Sequence, residues 1–93
     1  MEEFVLASFR SRTQVMYFNR ILNGAGIKSE VINTPREIAI GCGLSVKLAK
    51  ADLAAAQQLY TVYHPTSFVG FYTVGPDAQG RKITAVWQSW TGM

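Results

Sequence analysis

Apolar positions switch between a period of two and a period of 3.6 along this chain, and each switch predicts an element. Glu3 to Ser8 (EFVLAS) is a short apolar run rich in strand formers and reads as a first strand. Ser11-Arg12-Thr13-Gln14 then has the form of a capping box, serine at the N-cap and glutamine three residues on. Val15, Phe18, Leu22 and Ala25, with Ile21 beside them, recur at helical spacing, and Gly24 and Gly26 supply the positive φ that ends a helix. A first helix is predicted over 11–24. Ile27 to Ile32 alternates apolar and polar, a second strand with one face in the core. Pro35 forbids central strand pairing, so 33–43 is a loop, entered by a proline turn and left through Gly41-Cys42-Gly43. Leu44 to Leu48 alternates again as a third strand. Leu53, Ala56, Leu59, Tyr60 and Tyr63 give a second helix over 51–63, with Asp52 at its positive end and Pro65 as its stop. Phe68 to Val74 is a fourth strand. After a turn over 75–81, Ile83, Ala85 and Trp87 alternate as a fifth.

The order β-α-β-β-α-β, with right-handed crossovers, predicts an α+β ferredoxin-like split sandwich: a four-stranded antiparallel sheet with two helices on one face. Residues 1–75 are expected to form this domain and residues 76–93 a C-terminal hairpin extension. In such a fold three connections share one end of the sheet. They are Ser8–Ser11, Asn33–Gly43 and His64–Ser67.

With 93 residues and 48% hydrophobic content, the chain can close one core without disulfides or metal. The net charge of +3 comes from nine scattered basic residues, paired only at Arg10/Arg12 and Arg81-Lys82. A nucleic-acid footprint needs a dense basic stripe, so no nucleic-acid partner is expected. Val69-Gly70-Phe71-Tyr72 is only a faint echo of the paired aromatics of RNA-binding sheets. Glu2-Glu3 is the opposite of a basic leader, and no apolar run approaches the ~20 residues that span a bilayer. The expectation is a cytoplasmic protein without a membrane partner. Trp87 and Trp90 read as hairpin packing or a dimer contact, and the apolar tail suits edge-to-edge pairing of two chains into a homodimer.

The candidate chemistry centres on Cys42, the single cysteine, held between Gly41 and Gly43. One sulfur makes no intramolecular disulfide, and one Cys with one His makes no ordinary metal ligand set. No phosphate loop, Ser-His-Asp order or paired-carboxylate motif is present, and no cofactor is implied. Two readings of Cys42 stand. A thiolate near the start of the first helix, with Ser11 at its N-cap and Arg10, Arg12 and Arg36 nearby, would be a reactive nucleophile approached through the space the glycines leave. His64, on the same rim, would exchange protons with it. Alternatively the thiol is a small packed hydrophobe, the glycines mark a bulge, His64 meets the helix end, and Arg36 and Glu37 pair with each other across water.

Asn33-Thr34-Pro35-Arg36-Glu37-Ile38, followed by Gly41-Cys42-Gly43-Leu44, resembles a small prokaryotic family described as selenium/sulfur carrier protein-like. The Ala25-Gly26-Ile27 helix exit and Gly70-aromatic-Tyr72 are also similar, so the resemblance covers about residues 3–74. It implies a carrier rather than a catalyst. Cys42 would hold sulfur or selenium as a persulfide or selenopersulfide, loaded by a cysteine desulfurase-like donor enzyme and passed to an acceptor protein. A monothiol suits that role, because no resolving cysteine exists. The competing class is a ligand-sensing or protein-interaction module with a structural Cys42, since this fold hosts many roles.

Overall fold

The computed structural model describes residues 3–38, 41–77 and 80–88. Its elements run β1 (Phe4–Phe9), α1 (Arg12–Gly24), β2 (Ser29–Asn33), β3 (Leu44–Ala49), one 3-10 turn (Lys50–Asp52), α2 (Leu53–Tyr63), β4 (Phe68–Asp77) and β5 (Gly80–Gln88). The strands form one antiparallel sheet in the order β2-β3-β1-β4-β5. Its first four strands are the ferredoxin-like split sandwich, and β5 extends the sheet beyond β4.

Side-chain alternation sorts the sheet into two faces. Val5, Ala7, Phe9, Val46 and Leu48 point to the helices and pack with Val15, Phe18 and Leu22 of α1 and Ala56 of α2. Leu6, Val69, Tyr72 and Val74 point the other way, where no helix lies. They are covered instead by Ile38 from the β2–β3 loop, and Ile32, Phe4 and Ile83 border them. The loop therefore crosses the face that the helices leave open.

Both ends of α1 differ from the sequence expectation in an instructive way. Ser11 is the N-cap, but its side chain makes no capping hydrogen bond. The Gln14 side chain, expected to complete a capping box, instead accepts the backbone N–H of Thr66 at 2.9 Å. A tertiary contact has taken the donor-seeking oxygen that a local cap would use. At the other end Gly24 is still helical, and Gly26 alone takes the left-handed conformation (φ 84°). The N–H groups of Gly26 and Ile27 bond back to Asn23 and Leu22, a Schellman termination.

The fifth strand corrects a second expectation. Ile83, Ala85 and Trp87 do not share a face. Ala85 opposes Tyr72 and Trp87 opposes Phe71, so Val86 is an extra, exposed residue in β5. A bulge advances side-chain parity by one. It sends Trp87 to the helix face while Ile83 stays with the opposite cluster. There Trp87 stacks on Phe71, with ring centroids 5.7 Å apart, and meets the Tyr60 ring edge-on at 5.1 Å. Burial pushes the Tyr60 phenol above its ordinary pKa. The expected hairpin packing of Trp87 is thus real, whereas Trp90 lies outside the described residues. Phe71, floor of the faint RNA-like run, is fully buried under the helices and offers no surface for a base.

Candidate functional site

The three connections expected at one end of the sheet do meet there, joined by backbone hydrogen bonds. The N–H of Cys42 donates to the carbonyl of Phe9, the last residue of β1, at 3.0 Å. The N–H of Arg10 donates to the carbonyl of Ser67 at 2.8 Å, and Thr66 is held by Gln14 of α1. Thr34 N–H closes the loop on the Gly43 carbonyl at 2.9 Å. Cys42 is thus fixed through its own peptide to the strand that leads into α1.

The two glycines serve different purposes. Gly41 (φ 129°) and Gly43 (φ 90°) both adopt conformations that L side chains rarely take. A Cβ on Gly41 would stand 3.1 Å from the Phe9 carbonyl oxygen, so this glycine lets the loop approach β1. Gly43 has open space around it. Gly41 thus serves the close backbone approach to β1, while a side chain at Gly43 would meet only its backbone strain.

Cys42 itself is half-buried. It packs beside the helix-face core, and its Sγ lies 3.7 Å from the Leu44 carbonyl, a long contact for a weak donor. Among the described residues no hydrogen bond or ion pair joins it to Arg10, Arg36 or His64. All three side chains are exposed. His64 ends α2 in a left-handed conformation (φ 49°), with its N–H on the Tyr60 carbonyl and its ring 5.8 Å from the Tyr60 ring. Arg36 and Glu37 do not pair as the sequence suggested. Glu37 turns instead to Arg81 of β5, whose Nε and Nη2 donate to its two oxygens at 3.0 Å each. The two parallel hydrogen bonds to one carboxylate make this a strong, geometrically specific pair.

A polar feature that sequence reasoning missed lies under the same loop. Ser8 Oγ and Ser45 Oγ are 2.7 Å apart, and Thr34 Oγ1 is 2.6 Å from Ser45 Oγ, a chain of three hydroxyls across β1, β3 and the loop. Ser8 and Ser45 are buried. The signal was present in the alternation, since Ser45 stands between the helix-facing Leu44 and Val46, and Ser8 between Ala7 and Phe9. No grouping of His, Cys, Asp or Glu among the described residues could hold a metal ion. No helix among them is long and apolar enough to cross a membrane.

The decisive comparison concerns residues 4–64. They match the model of the family described as "Putative Se/S carrier protein-like". The chain belongs to that family. The matched stretch contains the whole Cys42 rim except the turn after His64. Neither curated proteins nor solved structures give a further match.

Proposed function

We propose that this Se/S carrier family member carries sulfur or selenium on Cys42 and relays it between a cysteine desulfurase-like donor and an acceptor protein in the reducing cytoplasm. The observation that carries the reading is that the family match spans the chain's one thiol. That thiol is half-buried on a glycine-flanked loop whose peptide is tied to the end of β1, the strand that leads into α1. In the transfer, the Cys42 thiolate attacks the terminal sulfur of the donor's persulfide. A new S–S bond forms on Cys42, the donor's S–S bond breaks, and the donor leaves as a thiolate, with no net oxidation. Release to the acceptor repeats the step with roles exchanged. Gly43 leaves the approach open, and Arg36, Arg10 and the α1 N-terminus at Ser11 attract the anionic donor to the rim by charge, while His64 offers a proton acceptor there. Residues 1–75 form the carrier-like part, and 76–93 its hairpin extension.

The packing of Sγ against the helix-face core favours the second reading, an interaction module with a structural cysteine. Intact mass after incubation with a cysteine desulfurase and cysteine or selenocysteine separates the two. The carrier reading expects one chalcogen atom on the wild type, removed by reductant and absent from Cys42→Ser. No adduct, or the same adduct on the serine variant, ends it.

A further inference from the structure

The outer surface of the helix layer is built unlike an ordinary solvated face. A surface helix usually turns charged residues to water, yet α2 (LAAAQQLYTVY) contains no charged residue at all. Of the large hydrophobic side chains exposed among the described residues, Met16 (44%), Tyr17 (37%), Val62 (73%) and Tyr63 (50%) all lie on α1 and α2, with only Val86 elsewhere. Between the helices run two adjoining hollows of about 310 and 680 Å³ that share Ala25 and Leu59. Tyr17, Ile21 and Tyr63 line the first, Ala55 and Val62 the second. Exposed apolar surface of this kind, concave and continuous, marks an interaction site.

Charge tells what fits there. The only ionic side chains of the two helices are Arg12 and Arg20, both exposed, and neither helix carries a carboxylate. Arg20 lies on the exposed side of α1, while Arg12, about 12 Å back along the helix axis, lines neither hollow. Arg20 also borders the first hollow. The rim is therefore cationic over an apolar floor. A second copy presenting the same face would bring another arginine and no carboxylate to meet Arg20. A bilayer would demand a convex, more densely basic face than one arginine beside a hollow.

We propose that the α1–α2 groove docks an amphipathic helix of a protein partner, with apolar residues at helical spacing seated on Tyr17, Leu59 and Tyr63 and a carboxylate meeting Arg20. This is the helix-in-groove mode of recognition, in which apolar anchors supply affinity and rim charges supply register. Tyr63 immediately precedes the His64–Ser67 turn, so a helix in the groove ends beside the Cys42 rim.

The test uses a stapled Leu/Glu amphipathic peptide of about 15 residues, its Leu/Lys counterpart, and anionic phospholipid vesicles. Binding to the full chain is followed by fluorescence anisotropy and by amide chemical shifts. The Leu/Glu peptide is expected to bind at least about tenfold more tightly than the Leu/Lys peptide. Its shifts should fall on residues 17–25 and 55–63, and affinity should drop with salt. Val62→Glu and Arg20→Glu, both at exposed positions, should each weaken it about tenfold or more while leaving the melting temperature near that of the wild type. Cys42→Ser should bind unchanged, so this result stands apart from the carrier reading. Equal binding of both peptides, shifts confined to the sheet, or tighter binding to vesicles than to the peptide overturns the proposal. So do concentration-dependent shifts at the same residues in the protein alone, which would assign the groove to a second copy.

Discussion

Arg81 grips Glu37 with two parallel hydrogen bonds and so ties the loop that leads to Cys42 to the last strand of the sheet. The guanidinium, helped by the Glu37 backbone N–H, holds the carboxyl below its ordinary pKa of 4.5. A carboxylate with a depressed pKa contributes fully above its unfolded value and loses that contribution as pH falls through the folded value. The tether should therefore be intact at neutral pH and be lost only as pH falls through that lowered value. Hydrogen exchange at the Ile38 amide, which bonds to the Pro35 carbonyl, should speed severalfold in Arg81→Gln at pH 7, and the difference between the two proteins should shrink once the pH is low enough to protonate Glu37. Equal protection in both proteins at pH 7 would show that Ile38 packing alone holds the loop.

The glycines around the thiol should respond unequally to alanine. Gly43→Ala meets no neighbour and bears only the cost of a left-handed backbone, about 1 kcal/mol. Gly41→Ala adds a Cβ 3.1 Å from the Phe9 carbonyl and should cost about 2–3 kcal/mol in urea unfolding. It should also loosen the Cys42–Phe9 hydrogen bond and quicken alkylation of the thiol. Equal losses in the two variants would mean that the loop adapts without strain.

Ser45 stands in the middle of the hydroxyl chain. Ser45→Ala removes the partner of both Ser8 and Thr34 and leaves a buried hydroxyl on Ser8 unpaired, a loss of about 1–2 kcal/mol. The double variant Ser8→Ala/Ser45→Ala should recover part of it, because no orphan then remains on β1. A thermodynamic cycle on these two positions measures the coupling directly.

Trp87 fills the gap between Phe71, Phe68 and Tyr60. Its truncation to alanine should destabilise the domain by about 2–4 kcal/mol, in the range of partly buried aromatic deletions. A change under about 0.5 kcal/mol, the range of ordinary surface substitutions, would place the tryptophan outside the core.

Much of the sheet and both helices could be read from periodicity, because Val15, Phe18 and Leu22 on one helix and Val5, Ala7 and Phe9 on one strand answer to a single apolar face. The meeting of the Cys42 loop with the end of β1 followed from topology alone. What the sequence could not display is competition between distant partners. Gln14 serves Thr66 rather than its own helix, and Glu37 prefers Arg81 to its neighbour Arg36, choices fixed only by three-dimensional proximity. The bulge at Val86 was hidden for a related reason. An inserted residue leaves no mark in an alternating pattern until its partner strand is known.

That single inserted residue gives β5 a double duty. On one side of Val86 the strand sends Ile83 beneath the loop-covered face, and on the other it sends Trp87 among the helices. Like β1 and β4, β5 thus feeds both hydrophobic layers, here within the five residues from Ile83 to Trp87. Loosening of either layer should therefore pull on the other, so that both should melt together.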